Sequence, residues 1–287
     1  MCRLFGFKSV INSQVHSSLI HAENALVEQS IKHPDGWGVA YYLEDVPHVI
    51  KSMDKAIDDH IFERVSGVVS SKTVVAHIRK ATHGEKTILN SHPFQYGRWI
   101  FAHNGNLKNF DSYRQNLLDK IDPELRRFVL GTTDSEIIFF LILSYIKDIH
   151  PLHIPNIKVS AIKAAIESAF QLITSFSGPL CKDPHPKPTE NHLTFILTTG
   201  TMMLGFNGGQ KLHYSTYKTK CSERESCPFF APVCEAKASF DEPINHLIFS
   251  SEKLAGENIW TEMDKGELIA IDHELKFLNF QLNVEFD

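Results

Sequence analysis

Several features that identify large classes of protein are absent from this sequence. The longest apolar run, from Ile137 to Ile146, is interrupted by Ser144 and is much shorter than the roughly 20 residues that span a membrane. The N-terminus lacks the long apolar core of a signal peptide. Lysine and arginine total 29 against 34 aspartates and glutamates, and no basic stretch resembles a nucleic-acid footprint. We expect a cytoplasmic globular protein that binds neither membranes nor nucleic acid.

Cysteine is scarce, and the five cysteines fit neither a disulfide framework nor a regular zinc motif. The count is odd in a chain without a secretion signal, which favours reduced thiols. Three of them follow the spacing Cys221-x5-Cys227-x6-Cys234, and His213 or His246 could supply a fourth zinc ligand. Structural zinc sites favour close pairs of the form C-x2-4-C, which this stretch lacks. Free thiols are therefore the preferred interpretation, although the role of these three cysteines stays open.

Hydrophobic periodicity predicts two groups of strands separated by helices. A helix is expected over 15–31, ended by the turn at 33–36. Two longer helices are expected over 133–149, where Thr133-Asp134-Ser135-Glu136 matches a capping box, and over 159–176. Strands are predicted at 37–42, 73–78 and 99–103, and then at 192–198, 202–206, 212–217, 246–250, 267–271 and 277–282. This order fits a layered α+β domain better than a doubly wound parallel sheet, and no nucleotide-binding motif accompanies it.

Cys2 is the most distinctive chemical feature, because removal of Met1 would place a thiol and a free α-amine on one terminal residue. A thiol attacks well only when a base or a lowered pKa makes it a thiolate. An α-amine, with an ordinary pKa of about 7.7–8.0, is partly neutral near physiological pH and can act as that base. A cysteine after methionine carries no such meaning by itself, so the hypothesis depends on partners elsewhere in the chain.

Other short segments supply candidate partners for acyl transfer. Arg79 presents a planar guanidinium suited to a carboxylate, and Asp134 can accept from an ammonium group, so together they would hold an amino acid. Asn104-Gly105 offers a side-chain amide next to a backbone N–H, as an oxyanion hole requires. There are simpler interpretations: Arg79 as a surface or salt-bridge residue, Asp134 as part of a helix N-terminus, and Asn104-Gly105 as a hairpin turn. Nearby histidines are better explained by structural hydrogen bonds than by a metal; they are His77, His83, His92 and His103.

In their order and spacing, these segments resemble the class II glutamine amidotransferases, a family within the N-terminal nucleophile hydrolases. The matching segments are Cys2-Arg3-Leu4-Phe5-Gly6, Asp35-Gly36-Trp37-Gly38, His77-Ile78-Arg79-x-Ala81-Thr82-His83-Gly84, Asn90-Ser91-His92-Pro93-Phe94, His103-Asn104-Gly105-x-Leu107 and Thr133-Asp134-Ser135-Glu136. A later stretch is similar to the stand-alone YafJ-like branch of that family; it comprises Ser250-Ser251-Glu252-Lys253-Leu254, Trp260 and Gly266-Glu267-Leu268. The resemblance therefore spans most of the chain.

The resemblance implies a fold and a set of site residues. The fold would be a four-layer αββα arrangement, in which two stacked antiparallel sheets lie between helix layers. Residues 1–287 would form one such domain. Candidate excursions are 218–243 and the Pro-rich, polar stretch 177–191, for which a domain boundary is an equal alternative. Cys2 would be the nucleophile with its α-amine as base, and Asn104 and Gly105 would hold the oxyanion. The residues implied to bind the substrate are Arg79, Thr82, His83 and Asp134. No metal or organic cofactor would be required.

The implied reaction is hydrolysis of the side-chain amide of glutamine or another γ-glutamyl compound. It would proceed through a γ-glutamyl thioester and release glutamate with ammonia or an amine. Lys80 stands where the aminosugar-forming members carry Trp, so γ-glutamyl chemistry is better supported than a preference for glutamine. One alternative is a glutaminase subunit that delivers ammonia to a separate synthase partner. Another is a non-catalytic amino-acid-binding or scaffold subunit, if Met1 is retained.

Overall fold

Two antiparallel sheets form the centre of the structure, a computed structural model that describes residues 2–15, 17–81, 84–184, 189–221 and 224–287. Within those residues, seven strands form sheet A and six form sheet B. Across sheet A the order is β11 (Thr261–Glu262), β9 (His213–Ser215), β10 (His246–Ser250), β1 (Arg3–Gln14), β4 (Ser70–Ile78), β2 (Trp37–Leu43) and β3 (Val46–Ser52). Across sheet B it is β13 (Phe277–Gln281), β12 (Glu267–Ile271), β8 (Met203–Phe206), β7 (His192–Thr198), β6 (Trp99–Asn106) and β5 (Phe94–Tyr96).

The helices fall into two groups along the sequence: two lie between strands of sheet A, and four lie between β6 and β7 of sheet B. They are α1 (Leu26–Gln29), α2 (His60–Val68), α3 (Phe110–Leu118), α4 (Pro123–Arg126), α5 (Asp134–Ile149) and α6 (Val159–Ser177). Shorter turns of helix occur at Ser17–His21, Ser30–Lys32, Ala56–Asp58 and Pro232–Cys234. Within the described part of the chain, none of the helices combines the length and apolarity that a membrane crossing needs.

Three apolar clusters hold these elements in layers. Successive side chains of a strand point to opposite faces, so Leu4 of β1 packs inward with Ile196 of sheet B, while Phe5 faces outward toward α2. On the far side of sheet B, Phe101 of β6 stacks on Phe139 of α5 with ring centroids 5.4 Å apart. The order of layers is helix, sheet, sheet, helix. This confirms the predicted four-layer αββα fold.

The predicted continuous helix over 15–31 is wrong, because the chain there forms a π-helical turn, the four-residue α1 and a 3-10 turn. Ala25 interrupts the helix with an extended backbone, at φ −56° and ψ 164°. The adjacent Asn24 donates to the carbonyl of Lys253 at 2.6 Å and accepts from the N–H of Ala255 at 2.8 Å. These contacts with the C-terminal part of the chain override the local helical periodicity.

The other long predictions agree with the structure. Helices α5 and α6 begin within one residue of their predicted starts. In α5, Thr133 accepts from the N–H of Glu136 at 3.3 Å, as a capping box requires. The Glu136 carboxylate, however, accepts from the N–H groups of Leu130 and Gly131 rather than from Thr133. Through Glu136, the first turn of α5 therefore also holds the loop that precedes the helix.

Candidate active site

Cys2 lies immediately before β1, with its thiol against the backbone of Lys80. The sulfur accepts from the Lys80 N–H at 3.2 Å, and the thiol donates to the Lys80 carbonyl at 3.3 Å. Burial raises the pKa of the Cys2 thiol, whereas the Lys80 N–H and the Arg79 charge oppose that rise. Since only 8% of Cys2 is exposed, water cannot stabilise a thiolate well. The thiol therefore needs a base to become a nucleophile.

A segment from the far end of the chain fixes the residues next to Cys2. The N–H of Leu4 donates to the Ser251 hydroxyl at 2.9 Å, and the N–H of Ser251 donates to the Leu4 carbonyl at 3.0 Å. Arg3 forms an ion pair with Glu252 and donates to the Cys2 carbonyl at 3.3 Å. No sequence argument assigned Arg3, Ser251 or Glu252 a part in the site. The only sequence signal for these residues is that they lie in segments resembling the family, Arg3 in the segment at 2–6 and the other two in the segment at 250–254.

Arg79 follows β4 and is buried, with 2% of its surface exposed. Its N–H donates to the Gly36 carbonyl at 2.8 Å, and its own carbonyl accepts from the N–H of Asp35 at 3.2 Å. Its guanidinium donates to the Glu85 carbonyl at 3.3 Å. Burial lowers the pKa of Arg79, while negative charge at Cys2 and Asp35 raises it. The interpretation of Arg79 as a surface residue is therefore wrong: it is a buried cation near the Cys2 sulfur.

Asn104 and Gly105 lie within β6, so the hairpin-turn interpretation is wrong. They pair with Thr194 and Leu193 of β7, respectively. A Cβ on Gly105 would lie 2.0 Å from the His192 carbonyl oxygen, which explains why only glycine fits there. Asn104 is 3% exposed, and its Oδ1 has no hydrogen-bond partner among the described residues. The carbonyl oxygen of this amide, an acceptor, is thus left unpaired near the C-terminal end of β6.

Asp134 is the first residue of α5 and is 2% exposed. Its Oδ2 accepts from the N–H of Leu107 at 2.9 Å, and its Oδ1 accepts from the N–H of Ser135 at 2.7 Å. The bond to Leu107 ties the helix start to the residue that follows β6. The carboxylate also acts on the Cys2 thiol, whose pKa it raises. Asp134, Arg79 and Cys2 therefore share one electrostatic environment.

Two histidines, His77 and His103, connect the two sheets through a hydrogen bond. His77 of β4 lies with its Nε2 3.2 Å from the carbonyl oxygen of His103 in β6. His103 in turn places Nδ1 2.9 Å from the Ser135 hydroxyl and Nε2 3.1 Å from the His192 carbonyl oxygen. Burial lowers the pKa of His77 to about 3, so its imidazole is neutral at physiological pH. His77 and His103 therefore form structural hydrogen bonds, as predicted. For His92 the prediction is wrong, because neither of its ring nitrogens has a hydrogen-bond partner among the described residues.

The remaining predicted groups fall into two cases. Thr82 and His83 lie outside the described residues. Cys221, Cys227 and Cys234 line one cavity of about 440 Å³ together with His246. The described residues contain no cluster of three or more histidine, cysteine, aspartate or glutamate side chains arranged to hold a metal ion.

The sequence of the chain also matches known proteins. Residues 1–176 match the family model described as class II glutamine amidotransferases. The chain belongs to this family. A putative glutamine amidotransferase of Haemophilus influenzae is 36% identical to the class II chain over 257 residues, which cover 83% of this chain and 73% of the relative. A probable glutamine amidotransferase of Saccharomyces cerevisiae is 32% identical over 160 residues, covering 50% of this chain and 45% of the relative.

The fold is also found in solved structures. A glutamine aminotransferase class-II domain protein from Silicibacter pomeroyi superposes with a TM-score of 0.63 at 18% identity, covering 98% of this chain and 99% of that one. At this identity, the likeness concerns the fold alone. The amidotransferase chain described here spans less than half of its yeast relative.

Proposed function

We propose that this class II amidotransferase hydrolyses the side-chain amide of glutamine or of another γ-glutamyl compound, and that residues 1–287 form one catalytic domain. The observation that carries the proposal is the burial of the Cys2 thiol against the Lys80 backbone, in the electrostatic field of both Arg79 and Asp134. A cation and a carboxylate next to one thiol match the two charged groups of an amino acid whose side-chain carbonyl is to be attacked.

Cys2 is the proposed nucleophile, and its α-amine, freed by removal of Met1, is the proposed base. The amine takes the thiol proton as the sulfur attacks the amide carbon, which gives a tetrahedral intermediate. The carbon–nitrogen bond then breaks, and the α-ammonium group gives its proton to the departing nitrogen. Water, deprotonated by the same amine, attacks the γ-glutamyl thioester. Glutamate leaves, and the thiol is restored.

Asn104 and Gly105 are proposed to stabilise the oxyanion. The buried side-chain amide of Asn104 and the backbone N–H of Gly105 are donors held in a strand, so they need not reorganise during the reaction. Arg79 is proposed to bind the α-carboxylate of the substrate and Asp134 its α-ammonium group. Thr82 and His83 are proposed to add contacts to the carboxylate by analogy with the family.

The test is glutamate release by protein whose intact mass shows that Met1 has been removed. We expect Cys2→Ala to abolish release of glutamate from glutamine and from γ-glutamyl amides, while circular dichroism shows an unchanged fold. Cys181→Ala is the matched control, because Cys181 is a half-buried thiol outside the proposed site. Turnover by Cys2→Ala would refute the assigned nucleophile. Retention of Met1 in protein from its native cell would favour a non-catalytic amino-acid-binding or scaffold subunit.

A second candidate is a glutaminase subunit that supplies ammonia to a separate synthase. Its support is that the matched region makes up only 45% of the yeast relative, so the same module occurs within longer chains. Adding such a partner would leave the amount of glutamate released unchanged and yield a new aminated product. Free ammonia equal to the glutamate formed, with or without a partner, would favour the stand-alone hydrolase.

A further inference from the structure

Lys80 binds the Cys2 thiol through its backbone, and Lys80 is exposed to solvent. We propose that Lys80 selects γ-glutamyl amino acids, substrates whose departing nitrogen is attached to a carbon bearing a carboxylate. Lys80 would be a specificity-determining residue that binds this carboxylate. The inference rests on the proposed function, since it concerns the leaving group of the same reaction.

The position of Lys80 follows from its backbone contacts. Both its N–H and its carbonyl bind the Cys2 sulfur, so its Cα is fixed next to the attacking atom. The preceding residue, Arg79, is buried, whereas Lys80 itself is exposed. The two neighbouring cations therefore have different proposed partners. Buried Arg79 would bind the glutamyl end of a substrate, and exposed Lys80 would bind the leaving group, which points to solvent.

Lys80 has no ion-pair partner among the described residues. Two carboxylates of neighbouring segments make other contacts. Asp35 accepts from the N–H of Ala81 at 3.0 Å, and Glu252 pairs with Arg3. Burial, together with the charges of Arg3 and Lys80, lowers the pKa of the adjacent His33 to about 4. Lys80 is therefore an exposed cation without an ion-pair partner among the described residues.

This arrangement distinguishes substrates by their leaving groups. Glutamine releases ammonia, which offers no carboxylate to Lys80. A γ-glutamyl amino acid carries a carboxylate two bonds from the scissile nitrogen, within the reach of a lysine whose Cα lies beside the sulfur. Attraction between two unit charges a few ångströms apart at a protein surface is sufficient for a preference of about tenfold, which corresponds to about 1.4 kcal/mol. The preference should decrease with added salt, because the lysine is exposed.

The experiment compares γ-glutamylglycine with γ-glutamylglycinamide, which differ only in the charge of the leaving group. The quantity measured is the ratio of their kcat/KM values in Met1-free protein. We expect the wild type to favour γ-glutamylglycine, and Lys80→Gln to lower the ratio about tenfold, mainly through KM. Lys80→Arg should retain the ratio. Lys120→Gln is the control, because it makes the same change in net charge at an exposed position two residues beyond the end of α3.

A ratio that is unchanged in Lys80→Gln would overturn the inference, even if both rates fall together through a disturbed backbone. A wild type that favours the amide would overturn it as well. In both cases glutamate is still released, so the proposed function stands. If no compound, glutamine included, yields glutamate, the proposed function fails and this inference fails with it.

Discussion

Gly105 is the position where one added carbon should damage both the fold and the reaction. A Cβ there would lie 2.0 Å from the His192 carbonyl oxygen and 2.1 Å from Nε2 of His103. Favourable contacts between carbon atoms lie at about 3.5–4.0 Å, so strand β6 or β7 must shift. Overpacking of this kind costs about 1–3 kcal/mol, and losing the hydrogen bond between His103 and His192 costs about 0.5–1.5 kcal/mol more. We expect Gly105→Ala to lower the free energy of unfolding by about 2–4 kcal/mol.

Urea denaturation measures this loss, and glutamate release measures its effect on the proposed oxyanion hole. Displacing one oxyanion donor lowers kcat by about 10²–10³-fold. Gly97→Ala is the control: Gly97 has a φ of +53° and open space around it, so alanine should cost about 1 kcal/mol without affecting activity. If Gly105→Ala stays within about 0.5 kcal/mol of the wild type and keeps its activity, the steric argument is wrong.

Three further predictions concern other buried polar groups. Asp134→Asn removes the charge proposed to bind the substrate ammonium, so kcat/KM for glutamine should fall about 10–100-fold, mainly through KM in initial-rate assays. Tyr42→Phe removes the 2.7 Å bond from the Tyr42 hydroxyl to the Arg98 carbonyl and should cost about 1 kcal/mol in urea denaturation with an unchanged m-value. Burial lowers the pKa of His246 to about 4, so the unfolded chain takes up its proton first as pH falls from 6.5 to 4. Stability should decrease over that range, and His246→Asn should make the decrease shallower in denaturation curves measured across it; an unchanged slope would contradict this.

The sequence was sufficient to predict those elements whose spacing of apolar residues matches the face that the structure buries. In α6, apolar residues recur at helical spacing, and the structure buries that face, including Ile162, Ile166 and Phe170. The segment at 15–31 has a similar pattern, but Asn24 bonds to residues more than 200 positions away. A local pattern contains no information on such contacts. The same limit applies to Asn104-Gly105, since an Asn-Gly pair favours a turn until strand β7 is available to pair with it.

The site could be predicted only in part for a similar reason. The residues that carry distinctive chemistry, Cys2, Arg79 and Asp134, were recognisable from residue type and order. The structure brings their charges into one environment. The residues that hold Cys2 in place were not recognisable, because a serine and a glutamate near position 250 have no special chemistry of their own. Ser251 and Glu252 gain significance only through their contacts with Leu4 and Arg3.

The bonds between Leu4 and Ser251 join residues 247 positions apart, so the segment that supports the backbone next to Cys2 arrives only after almost the whole chain has been made. At about 5–20 residues per second, a ribosome needs about 12–50 s to synthesise that intervening length. During this interval the N-terminal end is outside the ribosome, and strand β1 still lacks its neighbour β10. An aminopeptidase would meet a flexible end at this stage rather than a buried one. The proposed removal of Met1 and the assembly of the site are thereby separated in time, and the proposed active site is not completed until the nascent chain is almost finished.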